Sequence, residues 1–332
     1  MKLNQTIKHS VLLILILSIA GCTNTYKNNA KLYQTVRQGS VEVLINGTLQ
    51  GTGVFVDPSG LILTAEHAVH DPACKVEILT KDKRRFKAEV IAIDRNCDLA
   101  LLQVPKADNP YFTLPLADKL PTVDKAVYVY GTPIFRHDIM LKGSIASDTT
   151  AFEWLAGVDR YQQIVYYSGM APGGVSGGPW VNDKGQLIGL QSGGMTSNNA
   201  LVGIAFVAPL EAIKKIIQTR KSASTPSLRI AVNELWERGP DYFAKFPTGT
   251  TGLAIAIIKP DSPLADTECK QEDVIIAVDG QHLQYRDQLL KAIQAKNVDD
   301  NVELTLLHPD NQQSYKVSVK LKRLEDNASQ KK

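Results

Sequence analysis

Three short segments of this chain hold side chains that together could transfer a proton and form a covalent bond. The first, Gly51-Thr-Gly-Val-Phe-Val-Asp-Pro-Ser-Gly-Leu-Ile-Leu-Thr-Ala-Glu-His67, reads as strand, tight turn and strand, and delivers an imidazole to the start of a short turn. The second, Asp94-Arg-Asn-Cys-Asp98-Leu-Ala-Leu-Leu, sets an acid at the head of an apolar strand, where partial burial demands a partner. The third, Gly173-Gly-Val-Ser176-Gly-Gly-Pro-Trp, uses glycines to turn sharply and expose a hydroxyl and amide protons. A serine hydroxyl becomes an effective nucleophile once a neutral imidazole takes its proton, and a carboxylate on the far ring nitrogen keeps the right tautomer. His67, Asp98 and Ser176 supply these groups in that order along the chain. An oxyanion formed on a substrate carbonyl needs preorganised donors, and the backbone N–H groups of Gly174 and Ser176 are the natural pair. The chemistry implied is acyl transfer to serine followed by hydrolysis, and it needs no cofactor.

A metal reading is weaker. His67 and His70 form a pair, but no His-Glu-x-x-His occurs and no third ligand is near in sequence, so no metal site is expected. His137, His282 and His308 stand in no partner pattern and are expected at the surface.

The elements that must position these groups are mostly strands. From 36 to 208 short β-branched runs recur at spacings of about ten, the pattern of an all-β barrel or sandwich. They include Val41–Ile45, Gly53–Val56, Leu61–Thr64, Val76–Leu79, Phe86–Ile93, Leu99–Val104 and Val127–Tyr130. Leu210, Ala212, Ile213, Ile216 and Ile217 follow helical spacing, so 209–220 is expected to be a helix closing a first domain of 36–220. Residues 221–226 read as a polar linker. Five further strands and a helix at 287–295 predict a second, α+β domain at 227–322, with a frayed tail at 323–332. The length of 332 residues, with 44% hydrophobic and 21% charged content, agrees with two globular domains and excludes disorder or a disulfide-knot miniprotein.

Lys2 and Lys8, the aliphatic run from Val11 to Ala20, and Ile19-Ala-Gly-Cys22 form an export signal over 1–21, too short to span a bilayer. The ending resembles a bacterial lipobox, which implies lipidation of Cys22 and anchoring to a membrane, with 22–35 as a tether; an ordinary signal peptide with an incidental cysteine is the other reading. The formal net charge is +3, and loss of Lys2 and Lys8 leaves 35 basic against 34 acidic residues, which gives no reason to expect nucleic-acid binding. Export implies an oxidising compartment. A Cys74 to Cys97 disulfide is one expectation, with Cys269 a small buried thiol; three reduced, buried thiols is the other.

Thr-Ala-Glu-His-Ala-Val, Asp-Leu-Ala-Leu-Leu and Gly-Val-Ser-Gly-Gly-Pro resemble the signature blocks of chymotrypsin-fold serine peptidases, most closely the bacterial HtrA branch. Leu253-Ala-Ile-Ala-Ile-Ile-Lys-Pro-Asp-Ser-Pro-Leu-Ala and Glu272-Asp-Val-Ile-Ile-Ala-Val-Asp-Gly280 resemble the PDZ domain that follows the protease in that branch. The resemblance implies a mainly β chain: a chymotrypsin-like double β-barrel followed by an α+β PDZ domain. It also implies substrate-binding positions: Ser192, Gly193 and Gly194 in the strand that pairs with substrate backbone, and Ile204, Ala205 and Phe206 in the wall of the primary pocket. These segments hold no acid, so a small or medium aliphatic side chain is the expected guest. Leu228, Arg229 and Ile230 are the expected peptide-binding positions of the PDZ domain, with Arg229 where relatives carry Gly and offering a charge to a C-terminal carboxylate. Val175 stands where relatives have Asn or Asp, so no acid can order the oxyanion loop from that position. The function implied is ATP-independent endopeptidase action on unfolded or damaged exported proteins in the periplasm-facing cell envelope, by a trimer-based homo-oligomer whose PDZ domain takes C-terminal peptides. A non-proteolytic chaperone on the same fold, favoured by Val175, and a processing protease with one dedicated substrate are the alternatives.

Overall fold

The computed structural model describes residues 29–69, 74–155, 157–170, 172–309 and 313–324. The leader, Cys22, the first part of the expected tether, His70 and the end of the tail lie outside these. Seven strands form the first sheet: β1 (Ser40–Ile45), β2 (Thr48–Asp57), β3 (Leu61–Ala65), β4 (Val76–Leu79), β5 (Arg85–Lys87), β6 (Glu89–Asp94) and β7 (Leu99–Gln103), in the order β5-β4-β1-β2-β3-β7-β6. The second sheet has β8 (Ala126–Gly131), β9 (Ile139–Ile145), β10 (Ala151–Leu155), β11 (Arg160–Ser168), β12 (Pro179–Val181), β13 (Leu187–Ser197) and β14 (Ala200–Pro209). Its order is β10-β11-β14-β13-β12-β8-β9, and a β11 to β9 pairing closes it into a barrel.

The unbroken apolar runs of β3 and β7 have a geometric cause. Alternate side chains on a strand face opposite ways. Ile62 and Leu102 fill the first barrel, while Leu61, Leu63, Leu99 and Leu101 face a seam shared with Leu190, Ala208 and Val181 of the second. With both faces covered, neither strand can alternate apolar and polar residues.

Residues 29–39 are helical where the tether was expected to reach residue 35. This helix, α1, has Leu32 and Val36 one turn apart on a single face, and both pack into the seam. The expected helix near 209–220 is α2 (Leu210–Thr219), whose Ile213 and Ile216 close the same seam. The run expected as one strand at 86–93 is broken at Ala88, whose N–H bonds Val76 O at 3.0 Å, so β5 and β6 are separate.

The C-terminal domain contains β15 (Pro226–Ser227), β16 (Ile230–Glu234), α3 (Pro240–Phe243), β17 (Leu253–Ile258), β18 (Val274–Val278), β19 (Gln281–His282), α4 (Arg286–Gln294), β20 (Asn301–Leu307), β21 (Ser314–Lys320) and β22 (Lys322–Arg323). The main sheet runs β16-β17-β18-β20-β21, leaving β16 on an edge. Linker and tail are tied down more than composition implied. The Ser222 hydroxyl accepts from Ile93 N at 3.1 Å, Ala223 N donates to Ile93 O at 2.8 Å, and β15 pairs with β22.

The expected Cys74–Cys97 disulfide is not formed, and Cys269 is not disulfide-bonded either. Cys74 lies beside the β1–β2 turn, where its sulfur takes Asn46 Nδ2 at 3.7 Å. Cys97 is buried in the β6–β7 turn, with its sulfur 3.7 Å from Gln163 Oε1. The two thiols are held by different elements, and burial pushes the Cys97 thiol pKa well up.

Because Leu32 is buried between the barrels, Leu32→Ala should lower unfolding free energy by about 2–4 kcal/mol, read from urea unfolding. A loss below about 0.5 kcal/mol, the range of exposed sites, would make α1 peripheral.

Candidate active site

β3 ends at Ala65 and the chain turns at once into a single 3-10 turn, Glu66–Ala68, that carries His67. Asp98 closes the turn between β6 and β7 with φ of +54°, a left-handed conformation that Asp tolerates better than most residues. β3 and β7 pair with Ala65 opposite Leu99, which brings the two ends together. His67 Nδ1 lies 2.8 Å from Asp98 Oδ2, and the His67 backbone N–H donates to Asp98 Oδ1 at 2.9 Å. The Asp98 carboxylate is fully buried, so these donors replace lost water.

Ser192, expected in the strand that pairs with substrate backbone, supplies a further donor: its hydroxyl is buried and donates to Asp98 Oδ2 at 2.5 Å. Gln162 Oε1 is 3.1 Å from the same hydroxyl, while Gln162 Nε2 is buried without a partner. A half-turn of that amide lets Nε2 donate to Ser192 Oγ, leaving the hydroxyl proton for Asp98; Asn and Gln orientation is set by such networks.

Burial raises the Asp98 pKa, but the His67 charge and the hydrogen bonds from His67 and Ser192 outweigh it and hold it below the ordinary value. For His67, burial opposes protonation, yet Asp98, through charge and hydrogen bond, and the Glu66 charge outweigh it and raise the pKa above 6.5.

The Ser176 loop is held by main-chain contacts. Thr52 N donates to Ser176 O at 2.8 Å, and Thr52 Oγ1 to Gly174 O at 3.0 Å. A Cβ on Gly177 would meet Thr52 O at 2.2 Å and Ala65 N at 2.7 Å, and one on Gly174, whose φ is +94°, would meet Thr132 O at 2.3 Å. Glycine here permits close approach of backbones as well as a left-handed turn. Ser176 O and Ala68 Cβ both face Gly51, so the serine loop abuts the His67 turn.

Among the described residues, the Gly174 and Ser176 N–H groups have no intramolecular acceptor. The Gly173 carbonyl is drawn away to Ile134 N at 2.8 Å. Val175, where an acid was missed from sequence, is buried in the second barrel core beside Trp180, so apolar packing anchors the loop. Among the described residues no hydrogen bond joins Ser176 Oγ to the His67 ring, a bond that often tightens only with substrate present.

Gly193 and Gly194 sit opposite Phe206 and Ala205 in the β13–β14 ladder, with Ile204 next along β14. Leu228 and Ile230 are buried in the core of the C-terminal domain. Arg229 has φ of +53°, adopting the left-handed form that glycine favours. Its guanidinium is held by Asp261 and donates to Arg323 O at 2.7 Å, so the charge expected for an incoming carboxylate is already offset. Two histidines expected without partners have them: His137 meets Glu42 at 2.5 Å and His308 meets Asp273 at 3.1 Å. Gln162, the buried Glu66 and the bond from the Ser192 hydroxyl to Asp98 escaped sequence reading because each involves an ordinary residue inside a strand or turn, brought to the site by tertiary contact alone.

Residues 51–190 match the trypsin-like peptidase domain family, and residues 221–321 match the PDZ domain family. The chain is 24% identical over 272 residues to a probable periplasmic serine endoprotease, DegP-like, of Marinomonas sp., covering 81% of this chain and 56% of that protein. It is 26% identical over 282 residues to the putative serine protease HhoA of Synechocystis sp., covering 81% and 70%. The chain spans about half the length of the curated DegP-like relatives it matches. In structure it is similar to the serine endoprotease from Yersinia pestis, with TM-score 0.60, 19% identity and coverage of 88% and 98%. The HtrA-type protease AlgW with decapeptide gives TM-score 0.63, 18% identity and coverage of 89% and 98%. At such identity the structural likeness concerns the fold: a mainly β, trypsin-like domain followed by a PDZ domain.

Two outcomes follow from the Asp98 contacts. A base must be neutral to accept a proton, so a raised His67 pKa places the acid limb of kcat/KM above pH 6.5; a limb at or below that value contradicts the site. Ser192→Ala removes a hydrogen bond to a charge and should lower kcat/KM about 10-fold or more, with KM little changed.

Proposed function

We propose that this HtrA-like chain, a trypsin-like peptidase domain joined to a PDZ domain, is a serine endopeptidase of the cell envelope that cleaves unfolded or damaged exported polypeptides without ATP. The single observation that carries the reading is the imidazole of His67 bound through Nδ1 to a buried carboxylate, beside a glycine-rich loop with two uncommitted amides. In this mechanism Ser176 Oγ attacks the scissile carbonyl as His67 Nε2 takes its proton. Asp98 stabilises the resulting imidazolium and remains ionised. The carbonyl oxygen, now negative, accepts from the Gly174 and Ser176 N–H groups. The tetrahedral species collapses as His67 returns the proton to the leaving amine, and a water activated by the same imidazole hydrolyses the acyl-serine.

Substrate backbone would add to β13, with Gly193 and Gly194 leaving room for the residue before the scissile bond. Ile204, Ala205 and Phe206 supply an apolar wall, so a small or medium aliphatic side chain is preferred there. A C-terminal peptide adding to the PDZ edge strand β16 would displace the Tyr161 hydroxyl from Val232 N and O. The relatives named periplasmic support a periplasm-facing location; lipidation at Cys22 and assembly as a trimer complete the proposal. A non-proteolytic chaperone on the same fold is the second reading, favoured by Val175 where relatives carry Asn or Asp before the serine.

Incubating the full chain and Ser176→Ala with an unfolded protein separates the two. Fragments from wild type alone, ending mainly in aliphatic residues, are expected, together with fluorophosphonate labelling of Ser176. Equal inertness of both proteins supports the chaperone, and cleavage mainly after Lys or Arg overturns the pocket assignment.

A further inference from the structure

Glu66 immediately precedes His67 and is wholly buried. An ionised carboxylate removed from water needs a charged, well-placed partner. That partner is Arg160, the first residue of β11 and only 5% exposed, whose guanidinium grips Glu66 Oε2. Arg95 Nε adds a second cation, 3.4 Å from Glu66 Oε1. Arg160 Nε also donates to the Arg95 carbonyl at 3.3 Å, and the Glu66 backbone N–H donates to Asp98 O at 3.1 Å. One guanidinium therefore holds both the residue before the imidazole and the turn that presents the carboxylate. Planar fork geometry suits Arg to such a bridge.

The seat of Arg160 is fixed from outside the peptidase domain. The neighbouring Tyr161 hydroxyl accepts from Val232 N and donates to Val232 O, both at 2.9 Å, on the PDZ edge strand. The Arg286 guanidinium lies 5.9 Å from the Tyr161 ring centre. Two residues further, Gln163 N donates to Asn96 O at 2.7 Å within the turn that ends at Asp98.

We infer that Glu66 and Arg160 are a positioning pair that sets the relative placement of His67 and Asp98. The inference rests on the peptidase reading. Neither side chain touches substrate in this role; each acts through backbone it holds. Charged groups facing His67 are Asp98 from the β6–β7 turn, Glu66 from its own turn and Arg160 from β11, with Arg95 behind Glu66. Asp98 and Glu66 favour the protonated ring, whereas Arg160 disfavours it.

The test uses the full chain with Glu66→Gln, Arg160→Met, Arg160→Lys and the double variant Glu66→Gln/Arg160→Met. Two readouts are taken: the pH dependence of kcat and KM on an unfolded substrate, and the His67 ring titration by NMR, which needs no turnover. Misplacing a catalytic group by about 1 Å can cost roughly 100-fold, so each single charge-removing variant should lose on the order of 10- to 100-fold in kcat with KM nearly unchanged. Glu66→Gln should move the His67 titration down, Arg160→Met should move it up, and the double variant should return it toward wild type. Arg160→Lys keeps the charge without the fork and should restore the titration but not all of kcat. A purely structural pair would lower the unfolding midpoint while the titration and kcat of the folded protein stay at wild-type values, and that result overturns the inference. If Arg160→Met does not fold, Glu66→Gln and Arg160→Lys decide alone. A wild type that neither cuts protein nor takes fluorophosphonate defeats the peptidase reading, and the NMR titration still judges the pair.

Discussion

A carboxylate without water is the constraint around which this molecule is organised. Asp98 is fully buried, and transfer of an isolated ion into such a place is prohibitive unless neighbours replace its hydration. The chain meets that demand with the main-chain N–H and ring nitrogen of His67 and the hydroxyl of Ser192. The donors come from two parts of the fold: both His67 groups from the turn after β3, and Ser192 from strand β13 of the other barrel. The requirement therefore couples the two barrels as well as the imidazole's orientation. Removing one donor leaves a charge that cannot rehydrate, which is the costly side of the hydrogen-bond asymmetry.

The second constraint is close approach of backbones. The serine loop runs so close to β2, β3 and the end of β8 that Gly51, Gly174, Gly177 and Gly178 face main-chain atoms of other segments at 2.7 Å or less from where a Cβ would stand. Such packing stiffens the loop without a buried acid, while Val175 contributes by filling the barrel beneath. Gly173 O is drawn to Ile134 N, in a segment where Ile134 itself has φ of +47°, unfavourable for a β-branched residue. Asp138, held by Arg37 at 2.7 Å and by Tyr130, fixes that segment from the far side. Local strain and its compensation lie within one loop of the candidate oxyanion pocket.

The contact between the two domains combines apolar packing with polar bonds: Phe152, Tyr161 and Trp154 of the peptidase domain pack into the core of the C-terminal domain. Tyr161 satisfies both backbone groups of Val232 on an edge strand that would otherwise offer them to another chain. Gln294 reaches Asn96 Oδ1 at 2.5 Å, and Lys259 meets Asp159 at 2.9 Å. The groups that line the peptide edge and those that lie next to His67 thus belong to neighbouring residues of one strand, β11.

The residue types and order of His67, Asp98 and Ser176 announced nucleophilic catalysis before any coordinates, because that chemistry needs few side chains and glycine-rich or strand-end surroundings leave a pattern along the chain. The strand runs and the helices α2 and α4 were legible for a similar reason: period and turn residues are local. α1 was not, because a mixed-polarity helix becomes apolar-faced only when Leu32 and Val36 meet a seam built from residues much further along. The bond from the Ser192 hydroxyl to Asp98 could not be read from its strand, nor the Asp261 partner of Arg229 from its loop, since both depend on which atoms lie within 3 Å or so across the fold. The cysteine pairing read from compartment failed on the same ground, as the two thiols are held by different elements. Short-range patterning thus determined the folds and the residues that would carry the proposed chemistry from sequence alone; the tertiary structure alone decided which polar atoms share the space around a buried charge, because burial and hydrogen-bond geometry are properties of residues far apart in the chain.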